Sequence, residues 1–266
     1  MSNDIPGSGA AALGSGLRRI VDERRVAHGG WCAIPSAFAA EVVSATGCDW
    51  LCVDLQHGLI DDAAMRLMVM AAAIRRTPTL VRVAWNEPAA IMRALDAGAD
   101  GVIIPMVNTA EEARAAVTPM RYPPHGNRSW GPMRSSMAQP GFGTATGNAQ
   151  VVAIVMIETV KAIANLESIL AVEGVDGVFV GPNDLAISHS GTTSSAAVGE
   201  RDVAMIREIA DACRDRGLAA GITAADGADA IRCEGFGYTL LALPPDAALI
   251  GRAMTDILRD ARGERG

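Results

Sequence analysis

A chain of 266 residues, half of them hydrophobic and 20% charged, has the composition of a globular domain and not of a disordered or fibrous protein. Its net charge of −7 argues against a nucleic-acid or anionic-membrane partner, because either needs a basic surface that displaces counterions. No apolar run is long enough to cross a bilayer, and the Gly- and Ser-containing N-terminus lacks a basic and then apolar leader, so a cytoplasmic protein is expected.

Short β-rich runs alternate with amphipathic helical stretches along the chain. After an extra helix near 16–28, strands are expected at 31–34, 50–54, 79–83, 101–104, 151–157, 176–180, 218–222 and 238–243. Helices near 35–46, 61–75, 88–97, 109–118, 159–171, 200–216 and 226–235 separate them, and a last helix is expected at 246–261. Thr109 and Glu112 have the spacing of a capping box, and Gly47, Gly98 and Gly217 stand where helices end. Eight βα units with strands too continuously apolar to face water predict one closed (β/α)8 TIM barrel over residues 1–266, with 1–15 as a flexible leader. The alternative, an open doubly wound sheet, would carry a Gly-rich signature after its first strand, and none is present.

Residues 119–150 break the rhythm. They are rich in Gly, Pro, Ser and Arg, and no helix or strand is predicted in them. A loop of this length is functional or disordered. Taken as the connection after strand four, it is expected at the catalytic face, with Arg121, Arg128, Arg134 and Trp130 as anchoring groups.

Reacting groups in a barrel stand at the C-terminal ends of the strands. Strand two ends on Asp54 and leads to Gln56 and His57, strand three carries Arg82, strand five runs into Glu158, and strand six runs through Gly181 and Pro182 to Asp184. A lone carboxylate at the end of the most hydrophobic strand is costly. A divalent cation shared with Asp184 removes that cost, although Asp184 reads equally as a cap of the next helix. Two carboxylates without a nearby Cys or second His suit Mg²⁺ or Mn²⁺; zinc would want more nitrogen or sulfur. His57 fits a proton carrier, since imidazole titrates near neutrality. His28, His125 and His189 read as surface or loop residues. The five cysteines are odd in number and mostly lie in apolar stretches, so they read as reduced core thiols.

The stretches VDLQHGLID, LVRVAWNEP, ALDAGADGVIIPMVNTAEEARAAV, RYPPHGNRSWGP, MIETVKAIANL and VEGVDGVFVGPNDLA resemble, in order and spacing, the HpcH/HpaI family of class II pyruvate aldolases over about residues 17–258. The resemblance implies a metal-dependent aldolase that makes or breaks a carbon–carbon bond next to pyruvate in 4-hydroxy-2-oxo acids. It implies Glu158 and Asp184 as metal ligands for Mg²⁺, Mn²⁺ or Co²⁺, His57 as the base and Arg82 as the partner of the pyruvate oxygen. Asp96 matches an aspartate that pairs with the histidine in some members. With the rim residues, the expected substrate-binding set is Trp31, Asp54, Gln56, Arg82, Gly181, Pro182 and Asn183. Lys161 is the only lysine and sits three residues past Glu158, which argues against a Schiff-base route.

Many members have Glu where this chain has Gln56 and Gln where it has Met156, and ALPPD at 242–246 replaces a Gly- and Ser-rich turn. In many relatives the helix after strand eight is exchanged between subunits, which implies a homo-oligomer, a trimer or hexamer. Two rivals are a lyase acting on a coenzyme A thioester, as in citrate lyase β-subunit relatives, and a non-catalytic metabolite-binding barrel.

Overall fold

Strand parity sorts the apolar side chains into two layers. The computed structural model, which describes residues 15–192 and 200–264, closes eight parallel strands in sequence order, with the eighth paired back to the first. They are β1 (Ala27–Cys32), β2 (Trp50–Asp54), β3 (Thr79–Arg82), β4 (Gly101–Ile104), β5 (Val152–Ile157), β6 (Gly177–Val180), β7 (Ala219–Thr223) and β8 (Leu240–Pro245). Side chains alternate across a strand. One set, with Trp50, Leu80, Ile103, Ile154, Phe179 and Leu240, fills the barrel interior. The other, with Leu51, Val53, Val81, Val102, Val155 and Val178, packs under the surrounding helices. Each such burial contributes about 1.5–3 kcal/mol.

The first helix, α1 (Ser15–Asp22), stops short of the expected 28, because β1 begins at Ala27. The stretch His28-Gly29-Gly30 reads as a turn, yet Gly29 is there to make room. A Cβ on it would lie 2.2 Å from the Trp50 ring that occupies the interior. Leu17, Ile20 and Val21 of α1 close the N-terminal end of that interior. The expected leader, apart from Ser15, lies outside the described residues.

The next helices follow expectation: α2 (Ala37–Ala45), α3 (Asp62–Ile74), α4 (Pro88–Asp96) and α5 (Ala110–Val117). Thr109 caps α5 by accepting from the Glu112 N–H at 3.2 Å, and the Glu112 carboxylate accepts from the Asn108 N–H at 2.5 Å. Gly47, Gly98 and Gly217 have φ of +86°, +94° and +71°, the left-handed conformation that ends helices.

Residues 119–150 correct the expectation twice. They contain a 3₁₀ turn at Thr118–Met120 and two helices, α6 (Met133–Ala138) and α7 (Thr144–Gln150). The segment also lies at the N-terminal rim and not at the catalytic face, because α5 has already carried the chain back down. Its anchors prove the position: Arg121 pairs with Asp176 just before β6 at 3.2 Å, Arg128 pairs with Asp96 at the end of α4 at 2.8 Å, and the Ser135 hydroxyl donates to the Leu95 carbonyl at 3.4 Å. Trp130 is exposed against the Tyr122 and Phe142 rings.

The expected helix 159–171 is broken at Asn165 into α8 (Val160–Ala164) and α9 (Leu166–Leu170). Sequence reading missed α10 (Pro182–Ser190), which is short and weakly patterned. Then come α11 (Glu200–Arg216), α12 (Gly227–Glu234) and α13 (Asp246–Arg262). Among the described residues no helix is long and apolar enough to cross a membrane.

The ALPPD stretch continues β8 and ends on buried Asp246, whose carboxylate accepts from the Ala33 N–H at 2.9 Å and the Ala247 N–H at 2.8 Å. Beyond this anchor α13 stands off the barrel with Ile250, Met254 and Ile257 exposed on it.

Candidate active site

Inward parity delivers the polar groups to one bowl. Asp54 lies two residues beyond inward Cys52, Arg82 two beyond Leu80, Glu158 two beyond Met156 and Gly181 two beyond Phe179, so all four face the barrel axis at its C-terminal end. Asp54 is directly in register with Arg82 on the neighbouring strand.

The two form a bidentate pair, with Arg82 Nε donating to Asp54 Oδ1 at 2.8 Å and Nη2 to Oδ2 at 2.6 Å. Trp31 Nε1 donates to Oδ2 at 3.2 Å, and the Gln56 and His57 N–H groups donate to Oδ1 at 3.0 and 3.3 Å. Burial pushes the Asp54 carboxyl up, but the Arg82 hydrogen bonds and charge outweigh it and hold the group below the usual carboxylate range. The Arg82 guanidinium stacks over Trp31 at 4.9 Å, and Trp31 rests on Phe179 at 5.6 Å.

Glu158 is set differently. It is 1% exposed, Oε1 accepts from the Met106 N–H at 2.7 Å, and Oε2 has no hydrogen-bond partner. Burial foremost, reinforced by the nearby Asp184 charge and opposed by the Met106 bond and Arg82, raises its pKa to about 7. A Cβ on Gly181 would stand 2.6 Å from Oε2, so glycine keeps the space beside that oxygen open. Asp184, in the first turn of α10, makes no cap: the N-cap is Gly181, and Asp184 has no side-chain hydrogen bond among the described residues.

This donor set fits a hard divalent cation. It offers one buried carboxylate oxygen lacking any partner, a second carboxylate beside it and no thiol. Among the described residues no cluster of three or more His, Cys, Asp or Glu is arranged as a metal site, so protein would supply two carboxylates and leave other positions open.

The other expected site residues fall as follows. His57 is exposed just past β2, its backbone tied to Asp54 and its ring without a partner among the described residues. Asn183 is exposed and Pro182 half-buried at the start of α10. The Gln56 side-chain oxygen is buried without a partner. Asp96 stands apart from the bowl, at the opposite rim, bonded to Arg128. Lys161 is exposed on α8. Burial pushes Cys32 and Cys213 up to about 12, unlike reactive thiols. His28 lies in β1, and His189 is half-buried with Nδ1 3.0 Å from Asp202.

Met106 was missed. Its φ of +57° is rare for a non-glycine residue and aims its N–H at Glu158. Asn108 supports it: its Nδ2 donates to the Met106 carbonyl at 2.8 Å, and its Oδ1 accepts from the Thr159 hydroxyl next to Glu158.

The chain is similar to known proteins over most of its length. The chain is 34% identical over 246 residues to a hydroxypyruvate/pyruvate aldolase of Rhizorhabdus wittichii, covering 92% of this chain and 98% of the relative. It is 37% identical over 246 residues to a 5-keto-4-deoxy-D-glucarate aldolase of Klebsiella pneumoniae, covering 89% and 92%. The crystal structure of a HpcH/HpaI aldolase/citrate lyase family protein from Burkholderia cenocepacia superposes with a TM-score of 0.84 at 31% identity, covering 93% of this chain and 99% of that one. Residues 28–250 match the family model described as HpcH/HpaI aldolase/citrate lyase, and the chain belongs to that family.

Proposed function

We infer that the protein is a divalent-metal-dependent carbon–carbon lyase that cleaves or forms 4-hydroxy-2-oxo acids, with pyruvate and an aldehyde as the other side of the reaction. The observation that carries this reading is the buried Glu158 with its unpartnered oxygen, facing Asp184 and the inner end of Arg82. The aldolase names of relatives that span most of the chain support it.

Glu158 and Asp184 would hold the cation, Mg²⁺ or Mn²⁺ with Co²⁺ as a substitute. When bound there, the ion supplies Lewis-acid stabilisation to the oxygen that becomes negative at C2. Arg82 adds a fixed positive partner for that oxygen, since Asp54 occupies Nε and Nη2 and leaves Nη1 available. The first turn of α10 offers backbone N–H groups of Asn183 and Asp184 to the substrate carboxylate. His57, unencumbered at the mouth, takes the proton of the 4-hydroxyl, and the bond between C3 and C4 breaks to give aldehyde and pyruvate enolate. Condensation reverses these steps.

The proposal includes a homo-oligomer, trimer or hexamer, supported by the exposed Ile250, Met254 and Ile257 of α13. Asp96 lies at the far rim of its own barrel, bonded to Arg128, so within one chain it has no role beside His57. A cytoplasmic location also belongs to the proposal, in keeping with five free cysteines.

Pyruvate release from a panel of 4-hydroxy-2-oxo acids, by protein stripped with EDTA and resupplied with Mg²⁺, Mn²⁺ or Co²⁺, tests the reading. Metal-restored release that vanishes in Glu158→Ala and His57→Ala supports it. Release that persists without metal, or no release with any metal, overturns it.

A further inference from the structure

A cavity of about 510 Å³ opens at the end of the barrel opposite Glu158, between α3, the end of α4 and the α6–α7 segment. Its charged lining is Arg76, Arg128, Arg134 and Asp100, three cations to one carboxylate. Arg128 is the most constrained. Its side chain is 1% exposed, Nη2 is spent on Asp96 and the buried Nε has no partner. Neither Arg76 nor Arg134 has an ion pair among the described residues, and Arg134 makes only a 3.4 Å bond to the Ala97 carbonyl. Asp100 accepts from the Thr79 N–H at 2.7 Å, its charge acts on Arg134, and burial raises its pKa to about 6, so near neutral pH it offsets one of the three cations and leaves the lining net positive.

A buried guanidinium nitrogen without a partner costs free energy that an anion would recover. Part of the remaining wall is apolar, with Val69, Ala73, Leu95 and Phe142, and part is polar, with Thr77, Ser135, Gln139 and Gln150. An inorganic anion would leave that wall and most of the volume unfilled, whereas the cavity lies in the size range of small-molecule sites, about 300–1,000 Å³. We propose that this cavity is a second ligand site, separate from the bowl of Glu158, which takes an organic carboxylate: the guanidinium groups of Arg128 and Arg134 hold its carboxylate and the apolar wall holds its hydrocarbon body.

The test is isothermal titration of the full-length protein with benzoate and hexanoate, with hexanol and inorganic phosphate as controls. Expected is saturable binding of both carboxylates to the wild type and to Glu158→Gln alike, weakened at least tenfold in Arg134→Ala. Ala138→Trp, which narrows the same cavity from α6, abolishes binding at an unchanged melting temperature and gives an independent reading should Arg134→Ala fail to fold. No binding of either carboxylate overturns the proposal. So does binding lost in Glu158→Gln and kept in Arg134→Ala, which assigns it to the bowl. Hexanol or phosphate binding as tightly as benzoate overturns the carboxylate or the organic part respectively.

Discussion

Arg82 and Asp54 are locked in register on adjacent strands by two hydrogen bonds of 2.8 and 2.6 Å, both side chains almost wholly removed from water. Removing one partner of a buried pair leaves the other charge uncompensated. Asp54→Ala is expected to lower unfolding free energy by about 3–5 kcal/mol. Arg82→Lys keeps a charge but loses the fork, so its kcat/KM is expected to fall about 10²–10³-fold with a smaller loss of stability. Urea melts alongside kinetics separate the two effects; equal stability loss in both variants would contradict the pairing argument.

Glu158 makes stability depend on pH in an unusual direction. Its folded pKa of about 7 lies above its ordinary value of 4.5, so the folded state holds the proton more tightly. The stability this adds is full below about pH 4.5 and is lost as pH rises through 7. For the metal-free protein the loss is on the order of 3 kcal/mol, and Glu158→Gln should abolish it. A cation needs the ionised carboxylate, so its binding should release close to one proton at pH 6 and far less at pH 8. Calorimetry in buffers of different ionisation enthalpy measures this release.

Gly181 should be sensitive to the smallest substitution. Gly181→Ala places a methyl group 2.6 Å from Glu158 Oε2, too close to be tolerated, and the carboxylate must shift away. Mn²⁺ affinity is expected to drop at least tenfold, with a change in unfolding free energy of about 1 kcal/mol or less, as read by electron paramagnetic resonance titration and thermal melts.

If the exposed face of α13 mediates assembly, Met254→Asp with Ile257→Asp should shift the particle to smaller mass in light scattering while leaving the barrel folded. An unchanged mass would remove α13 from the interface.

Much of the bowl was legible because its residues violate the local pattern. Asp54, Arg82 and Glu158 stand at strand ends where the run before them is apolar, and inward parity follows from counting by two. Met106 was invisible for the opposite reason: its contribution is a backbone N–H at positive φ, and a methionine side chain announces neither. The α10 helix did carry signals, Pro182 at its first position and Gly191 at φ +74° beyond its end, but its weak patterning hid them. The misplacement of 119–150 was an error of topology. Helix 109–118 was itself predicted, and a chain that has descended one helix is no longer at the end where the strand left it.

The floor laid by Leu17, Ile20 and Val21 makes the bowl a blind well. Both products of a cleavage must then leave by the mouth they entered. Under the proposed function the pyruvate half would lie deepest, against Glu158 and Arg82, with the aldehyde half above it in the exit. Departure is therefore ordered, aldehyde first and pyruvate last, so added pyruvate should compete with the full-length oxo acid while added aldehyde should not.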